Sequence, residues 1–227
     1  MKKKFLFLMT LMAVSLLALA EEHVYVYKKN GAKVHYMAAE LDSIGFRGAT
    51  RGEYRGHEWV DLGLPSGTLW ATSYMDGKYT WGDIRVNEEN NKWQSSSTYK
   101  KYNDDDKKTI LELQDDAAHM CWGGDWRMPT DAEFNELKDN CTWTWTTQNG
   151  VNGYKVTSKT NGNSIFLPAA GYRYDSDLNY AGSSGCYRSS SLNTSGAYYL
   201  YFSSSEVSSY SDSRRYGGHS VRPVFSE

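Results

Sequence analysis

The residues of this chain that could do chemistry are its histidines, its cysteines and a few adjacent carboxylates. The five histidines are His23, His35, His57, His119 and His219. None stands in an HxH or HExxH pattern, the spacing that brings two imidazoles onto one metal, so no zinc centre is indicated. The three cysteines, Cys121, Cys141 and Cys186, include no CxxC pair. An odd number leaves at least one thiol unpaired within the chain. A Cys121–Cys141 bridge and a free Cys141 buried at a helix end both remain open at this level. Asp104-Asp105-Asp106 has neither the spacing nor the bidentate Glu of an EF-hand loop and reads as a solvated loop leading into a helix. Asp115-Asp116 reads as an exposed helix face rather than a glycosidase pair. There is no GxSxG, no P-loop and no GxGxxG ahead of a helix. No catalytic residue, metal or cofactor is expected.

Binding chemistry is better marked. In residues 21–170 the types Lys, Gln, Met, Trp and Glu supply 37 of 150 positions. In residues 171–220 they supply one, Glu206, while the same stretch holds 15 Ser, 9 Tyr and 6 Gly. A low-complexity tail has no reason to keep "AGYR", "AYYLYF" and "SVRPVF". A contact surface does: Tyr gives large, rigid, amphipathic area with two side-chain torsions to freeze, and Ser and Gly adapt around it. The missing types share one further property. A codon of the form N-N-C cannot encode Lys, Gln, Met, Trp or Glu, so randomising the first two bases of AAC codons would produce this alphabet.

Alternation assigns the faces. In Tyr198–Ser203 one set, Tyr198, Leu200 and Phe202, suits a core, and Tyr199, Tyr201 and Ser203 suit an exposed face. The contact surface is expected to continue through Ser208, Tyr210, Asp212 and Tyr216. Its upstream part would comprise Tyr174, Asp175, Asp177, Asn179, Tyr180 and Ser184.

The elements that must position this surface follow from periodicity. "KTILELQDDAAHM" (108–120) carries Ile110, Leu113, Ala117 and Met120 at helical spacing. Thr130 precedes Glu133 by three residues, a capping box with Pro129 ahead of it, and Phe134, Leu137 and Cys141 continue a helix that ends near Asn140. The period then changes to two: "TWTWTT" (142–147), a turn over "QNG" and "VNG" (148–153), "YKVTS" returning as the partner strand, and a strand over "SIFLPAAGYR" (164–173). Residues 87–106 read as a long surface loop. The layout is an α+β domain with two helices and a β-rich second half.

Upstream, "MKKKFLFLMTLMAVSLLALA" (1–20) has three lysines, an apolar run and a small-x-small end, the pattern of a secretory signal peptide. Residues 21–48 read as a small β unit with a hairpin and a short strand at 43–46, and 49–56 as a Gly- and Arg-rich linker. Residues 57–227 form the main domain. The formal net charge is −2, and −5 once the three signal lysines are removed. Such a chain has no electrostatic reason to hold nucleic acid. The expected location is outside the cytoplasm: periplasm, outer surface or medium.

The motifs "VDLGLPSGTLWAT", "WGGDWRMPTDAEFNEL", "NGYKV", "SIFLPAAGYR" and "GHSVRPV" occur in order across about residues 57–225. They resemble the Fibrobacter succinogenes major paralogous domain family, abundant in gut Bacteroidetes. The resemblance implies a C-type-lectin-like fold. Trp122, Trp126, Arg127, Pro129, Phe134, Leu167 and Arg222 would act as framework. Some members resemble variable proteins of diversity-generating retroelements, whose rewritten C-terminal stretch forms a ligand-binding face. The chain departs from the family at Tyr187-Arg188-Ser189-Ser190, where Tyr-Trp-Ser-Ser is usual. It also lacks the Glu-Pro-Asn and Trp-Asn-Asp motifs of calcium-dependent sugar-binding lectins. The implied function is an exported, non-enzymatic binding protein for a protein or glycan on another cell, phage or host surface. The alternatives are a carbohydrate-active or formylglycine-generating type of enzyme and an envelope structural protein. No suitable redox cysteine pair supports the formylglycine-generating type.

Overall fold

A computed structural model describes residues 50–84, 101–103, 105–174, 177–193, 196–212 and 215–226, and the backbone of 23–27 and 33–37. The chain divides into two units, Met1–Gly48 and Ala49–Glu227. In the first, β1 (His23–Tyr27) and β2 (Lys33–Met37) pair antiparallel, His23 opposite Met37. The signal-like segment 1–20, the strand expected at 43–46, and residues 87–100 and 104 of the expected loop lie outside the described residues.

The second unit is mostly β-sheet, with two α-helices among the described residues. It opens with β3 (Arg51–Tyr54) and β4 (His57–Asp61), so part of the segment expected as linker is a strand. Arg55 and Gly56, with φ of 55° and 79°, make the tight turn between them, which no apolar period announces. β5 (Leu69–Ala71) follows the Pro65-Ser66-Gly67 turn, and β14 (Val224–Phe225) closes the same sheet in the order β14-β5-β4-β3. The end of the chain thus pairs with the start of the domain, Val224 opposite Trp70.

The helix expected over 108–120 breaks in two. A 3-10 turn covers Leu113–Asp115 and α1 spans Ala117–Trp122, with Asp116 extended between them at φ −91° and ψ 115°. The buried Asp116 carboxylate accepts from the backbone N–H groups of Ala118, His119 and Met128, at 2.9, 3.2 and 2.8 Å. It is a helix cap tied to a distant loop rather than part of an exposed face, and the chain must leave helical geometry there to make it one. The apolar register shifts accordingly. Leu111, Ala117 and Ala118 are buried, while Ile110, Leu113 and Met120 are exposed.

The second helix forms where the capping box puts it. α2 (Asp131–Asn140) begins at Thr130, whose side chain accepts from the Glu133 N–H while Glu133 accepts from the Thr130 N–H. Phe134 and Leu137 are its buried face. β6 (Cys141–Gln148) and β7 (Val151–Ser158) make a hairpin over Asn149-Gly150, both with positive φ, so the turn expected over 148–153 is only these two residues and the strands pair up to Gln148 opposite Val151; β8 (Ser164–Pro168) adds the third strand. The single strand expected over 164–173 is two. Past Ala169 the chain leaves this sheet and becomes β9 (Ala170–Tyr174) of another.

That last sheet carries the restricted alphabet. Its order is β10-β9-β11-β12-β13, with β10 (Asp177–Ala181), β11 (Ser184–Asn193), β12 (Gly196–Ser203) and β13 (Glu206–Asp212). All its neighbours are antiparallel except β9 and β11, which meet in parallel with Gly171 opposite Gly185. A Cβ on Gly185 would lie 2.1 Å from the Phe202 ring, its partner across the β11–β12 pair, so glycine here leaves room for that ring. Leu200 and Phe202 are fully buried, and they join Trp70, Phe134, Leu167 and Tyr187 in the main core. Truncating a ring such as Phe202 to Ala in a core of this kind costs about 3–5 kcal/mol.

Candidate ligand-binding site

The opposite face of the five-stranded sheet is built by strand pairing. Residues directly opposite one another across a strand pair share a face. Tyr199 lies opposite Arg188 on β11 and Tyr210 on β13; Tyr201 lies opposite Cys186 and Ser208; Ser203 lies opposite Ser184 and Glu206. Across the seam Tyr172 lies opposite Asn179, and Tyr174 opposite Asp177.

Tyrosine rings of this face line an open-mouthed cavity of about 260 Å³. Tyr172 and Tyr174 of β9 and Tyr180 of β10 form one wall, and Tyr199 and Tyr201 of β12 form the other. Cys186 and the segment Gly217–His219 lie between, and Asp212 of β13 supplies a carboxylate to the lining. The rings form a continuous chain. Tyr180 stacks on Tyr172 at 5.9 Å, Tyr172 meets His219 edge-on at 5.9 Å, and His219 meets Tyr199 edge-on at 4.8 Å. Tyr210 then bridges Tyr199 at 6.2 Å and Tyr201 at 5.9 Å.

Backbone strain shapes one wall. Tyr180 has φ of 57°, a conformation that an aromatic residue rarely adopts, and its side chain is 63% exposed at the rim. The β9–β10 register runs unbroken on either side of it, which sets Tyr180 opposite Gly171, whose φ is 60° and whose absent Cβ would lie 2.1 Å from the Asn179 carbonyl oxygen.

The floor is held by buried polar groups. Arg188 is fully buried, and its Nη2 donates to the carbonyls of Arg215, at 3.2 Å, and Gly217. A guanidinium with backbone acceptors therefore fills the second position of the Tyr187-Arg188-Ser189-Ser190 run. Lys78, also buried, donates from Nζ to Ser220 Oγ at 2.7 Å, and burial pulls its pKa down to about 8. Burial pushes the Cys186 thiol up to about 12, against the opposite pull of Arg188 and Lys78, so it is a poor nucleophile at neutral pH.

Of the residues expected at the surface, Tyr174, Tyr180, Tyr199, Tyr201 and Asp212 line the cavity. Asp177, Asn179, Ser203, Ser208 and Tyr210 lie on the same face around it, partly or fully accessible. The Tyr210 hydroxyl donates to Glu206, which holds its pKa above the usual range. Two expected contact residues are buried instead. Ser184 sits behind Tyr201, its Oγ 3.4 Å from the Tyr201 hydroxyl, and Tyr216 packs edge-on against Tyr174 with the two hydroxyls 3.3 Å apart. Both are pulled inside by pairing with a tyrosine in front of them. Asp175 lies outside the described residues. Sequence reasoning missed Tyr172, Cys186 and His219. Period-two alternation back from Tyr174 would have found Tyr172; His219 arrives through isolated bridges that have no local signal.

Among the described residues no three His, Cys, Asp or Glu side chains come together as a metal site, and all three cysteines are free thiols. No described helix is long and apolar enough to cross a membrane. Compared with known proteins, the chain matches no family model, no curated protein and no solved structure.

Proposed function

We propose that this chain is an exported, non-enzymatic ligand-binding protein. On this reading it is a member of the Fibrobacter succinogenes major paralogous domain family with a C-type-lectin-like fold, and its C-terminal sheet is the face that meets the ligand. One observation carries the reading. The stretch with the restricted alphabet folds so that five of its tyrosines, from three strands, wall a single cavity. Rings held in place by neighbouring rings have little freedom left to lose on binding, which favours affinity from modest contacts. The ligand is a protein or glycan on another surface. The same face suits diversification, because its side chains point away from the core.

The test is a binding screen. The purified protein is applied to glycan and surface-protein arrays beside a Tyr199→Ala/Tyr201→Ala variant whose folding is checked by circular dichroism. Partners bound by the parent and lost by the variant support the proposal. Partners bound equally by both, or a turnover assay in which a glycan or thiol substrate is consumed, would replace it with the structural or enzymatic alternative. Sequencing the 3′ end of the gene across a growing population tests the diversification separately. Variation at codons 174–219 that matches adenines in a neighbouring near-copy is the expected pattern.

A further inference from the structure

Three features of the tyrosine face, taken together, limit what it can hold. The first is the walls. Five phenol rings present their π faces and edges to one space, and a π face is the negative pole of the ring quadrupole. The second is charge. Among the described residues, the charged side chains that strand pairing places on this face are Asp177, Asp212 and Glu206 against one cation, Arg188. Arg188 is fully buried and turned to backbone carbonyls, whereas the three carboxylates are at least partly accessible. Lys78, under the floor, is turned to Ser220. The third is size. At about 260 Å³ the cavity is below the range of roughly 300–1,000 Å³ that encloses a drug-sized molecule, and it suits one side-chain-sized group.

Resting on the binding function proposed above, we infer that the cavity is an aromatic cage for a cationic group: an alkylammonium or guanidinium presented as a side chain by a partner protein. The cation sits between the Tyr172–Tyr180 wall and the Tyr199–Tyr201 wall, with Asp212 as its carboxylate partner. Tyr180 and Tyr210, 63% and 43% exposed on opposite sides of the opening, give the partner's surrounding surface two rings to rest on. The floor cations keep the bound charge at the level of the rings rather than against Cys186. A partner protein with a basic patch also complements the acidic balance of the face, which a neutral sugar does not use.

The test varies the probe rather than the fold. Tyrosine ring signals of the purified protein are followed by NMR during titration with a peptide amide bearing Nε-trimethyllysine. Its neutral isostere, in which a tert-butyl carbon replaces the trimethylated nitrogen, is titrated next, then an arginine peptide amide and choline. The inference expects the cationic peptide to bind about tenfold tighter than its neutral isostere. It expects Asp212→Asn to weaken the cationic probe about fivefold or more and leave the isostere unchanged, and Tyr199→Phe, which keeps the ring, to retain binding. Equal binding of cation and isostere overturns it, leaving an apolar pocket. Choline binding as tightly as the peptides overturns the protein partner and leaves a small-molecule cation site. If no probe binds while an array partner still requires Tyr199 and Tyr201, the cation assignment falls and the binding function stands. If no probe binds and the arrays are silent, both fall.

Discussion

Arg127 and Glu133 form a two-pronged ion pair that fastens the loop before α2 to the first turn of that helix. Nη1 and Nη2 of Arg127 donate to the two Glu133 oxygens at 2.7 and 2.6 Å. Glu133 also accepts from the Thr130 N–H and the Thr68 hydroxyl, each at 2.8 Å, so one largely buried carboxylate ties together the helix cap, the strand loop at Thr68 and the framework arginine.

That pair sets an acid limit on stability. Burial by itself raises the Glu133 pKa, but the Arg127 hydrogen bonds and charge outweigh it and hold the value at about 2, against an ordinary 4.5. Between those values the unfolded chain binds a proton that the folded chain does not. The pair's contribution is therefore complete above about pH 4.5 and is lost as the pH falls through about 2. Urea unfolding across this range should show the loss in the parent and a flatter profile in Glu133→Gln. At neutral pH the variant should be less stable by on the order of 3 kcal/mol, because Arg127 is left without its carboxylate.

Gly171 is the backbone pivot of the cavity wall. Gly171→Ala places a methyl group 2.1 Å from the Asn179 carbonyl oxygen, in a conformation with φ of 60° that alanine resists. A destabilisation of roughly 2 kcal/mol or more is expected. Faster amide hydrogen exchange should be confined to the β9–β10 ribbon and measured by mass spectrometry; unchanged exchange there would contradict this account of the wall.

The thiols should react in a fixed order. Cys121 is exposed, while Cys141 and Cys186 are buried and pushed by burial to about 11 and about 12. Iodoacetamide at neutral pH followed by peptide mapping should label Cys121 first and the other two only on unfolding. Recovery of a Cys121–Cys141 cross-linked peptide from the native protein would be the opposite result.

Affinity for any partner of the tyrosine face should be uneven. Tyr199→Ala and Tyr201→Ala are each expected to cost about 2 kcal/mol or more, and Ser208→Ala and Ser203→Ala less than about 0.5 kcal/mol, by calorimetry with one ligand. A flat profile across the four would mean that the cavity is not where the ligand sits.

What the sequence made legible has local causes. The Thr130/Glu133 capping box, the Asn149-Gly150 hairpin and the Leu200/Phe202 alternation each depend on residues a few positions apart, and each stands in the structure. The break at Asp116 does not: the carboxylate is drawn out of the helical pattern by Met128, twelve residues on, which no period displays. The tyrosine surface shows the same division. Tyr199 and Tyr201 follow from alternation within β12. The place where they meet Tyr172, Tyr174 and Tyr180 depends on a parallel contact between two glycines, and the arrival of His219 depends on bridges to Tyr79 and from its neighbours to Arg173 and Tyr187. Ser184 and Tyr216 share the alphabet of the surface and are nonetheless buried, because composition carries no information about depth.

The alternation along β12 has a consequence for inheritance. Leu200 and Phe202 are read by the interior, and Tyr199, Tyr201 and Ser203 by whatever stands outside. The strand is a text of two interleaved messages with different readers. Spelling changes in one leave the grammar of the other intact: substitution at every second position rewrites the outer face while the sentence that folds the protein stays the same.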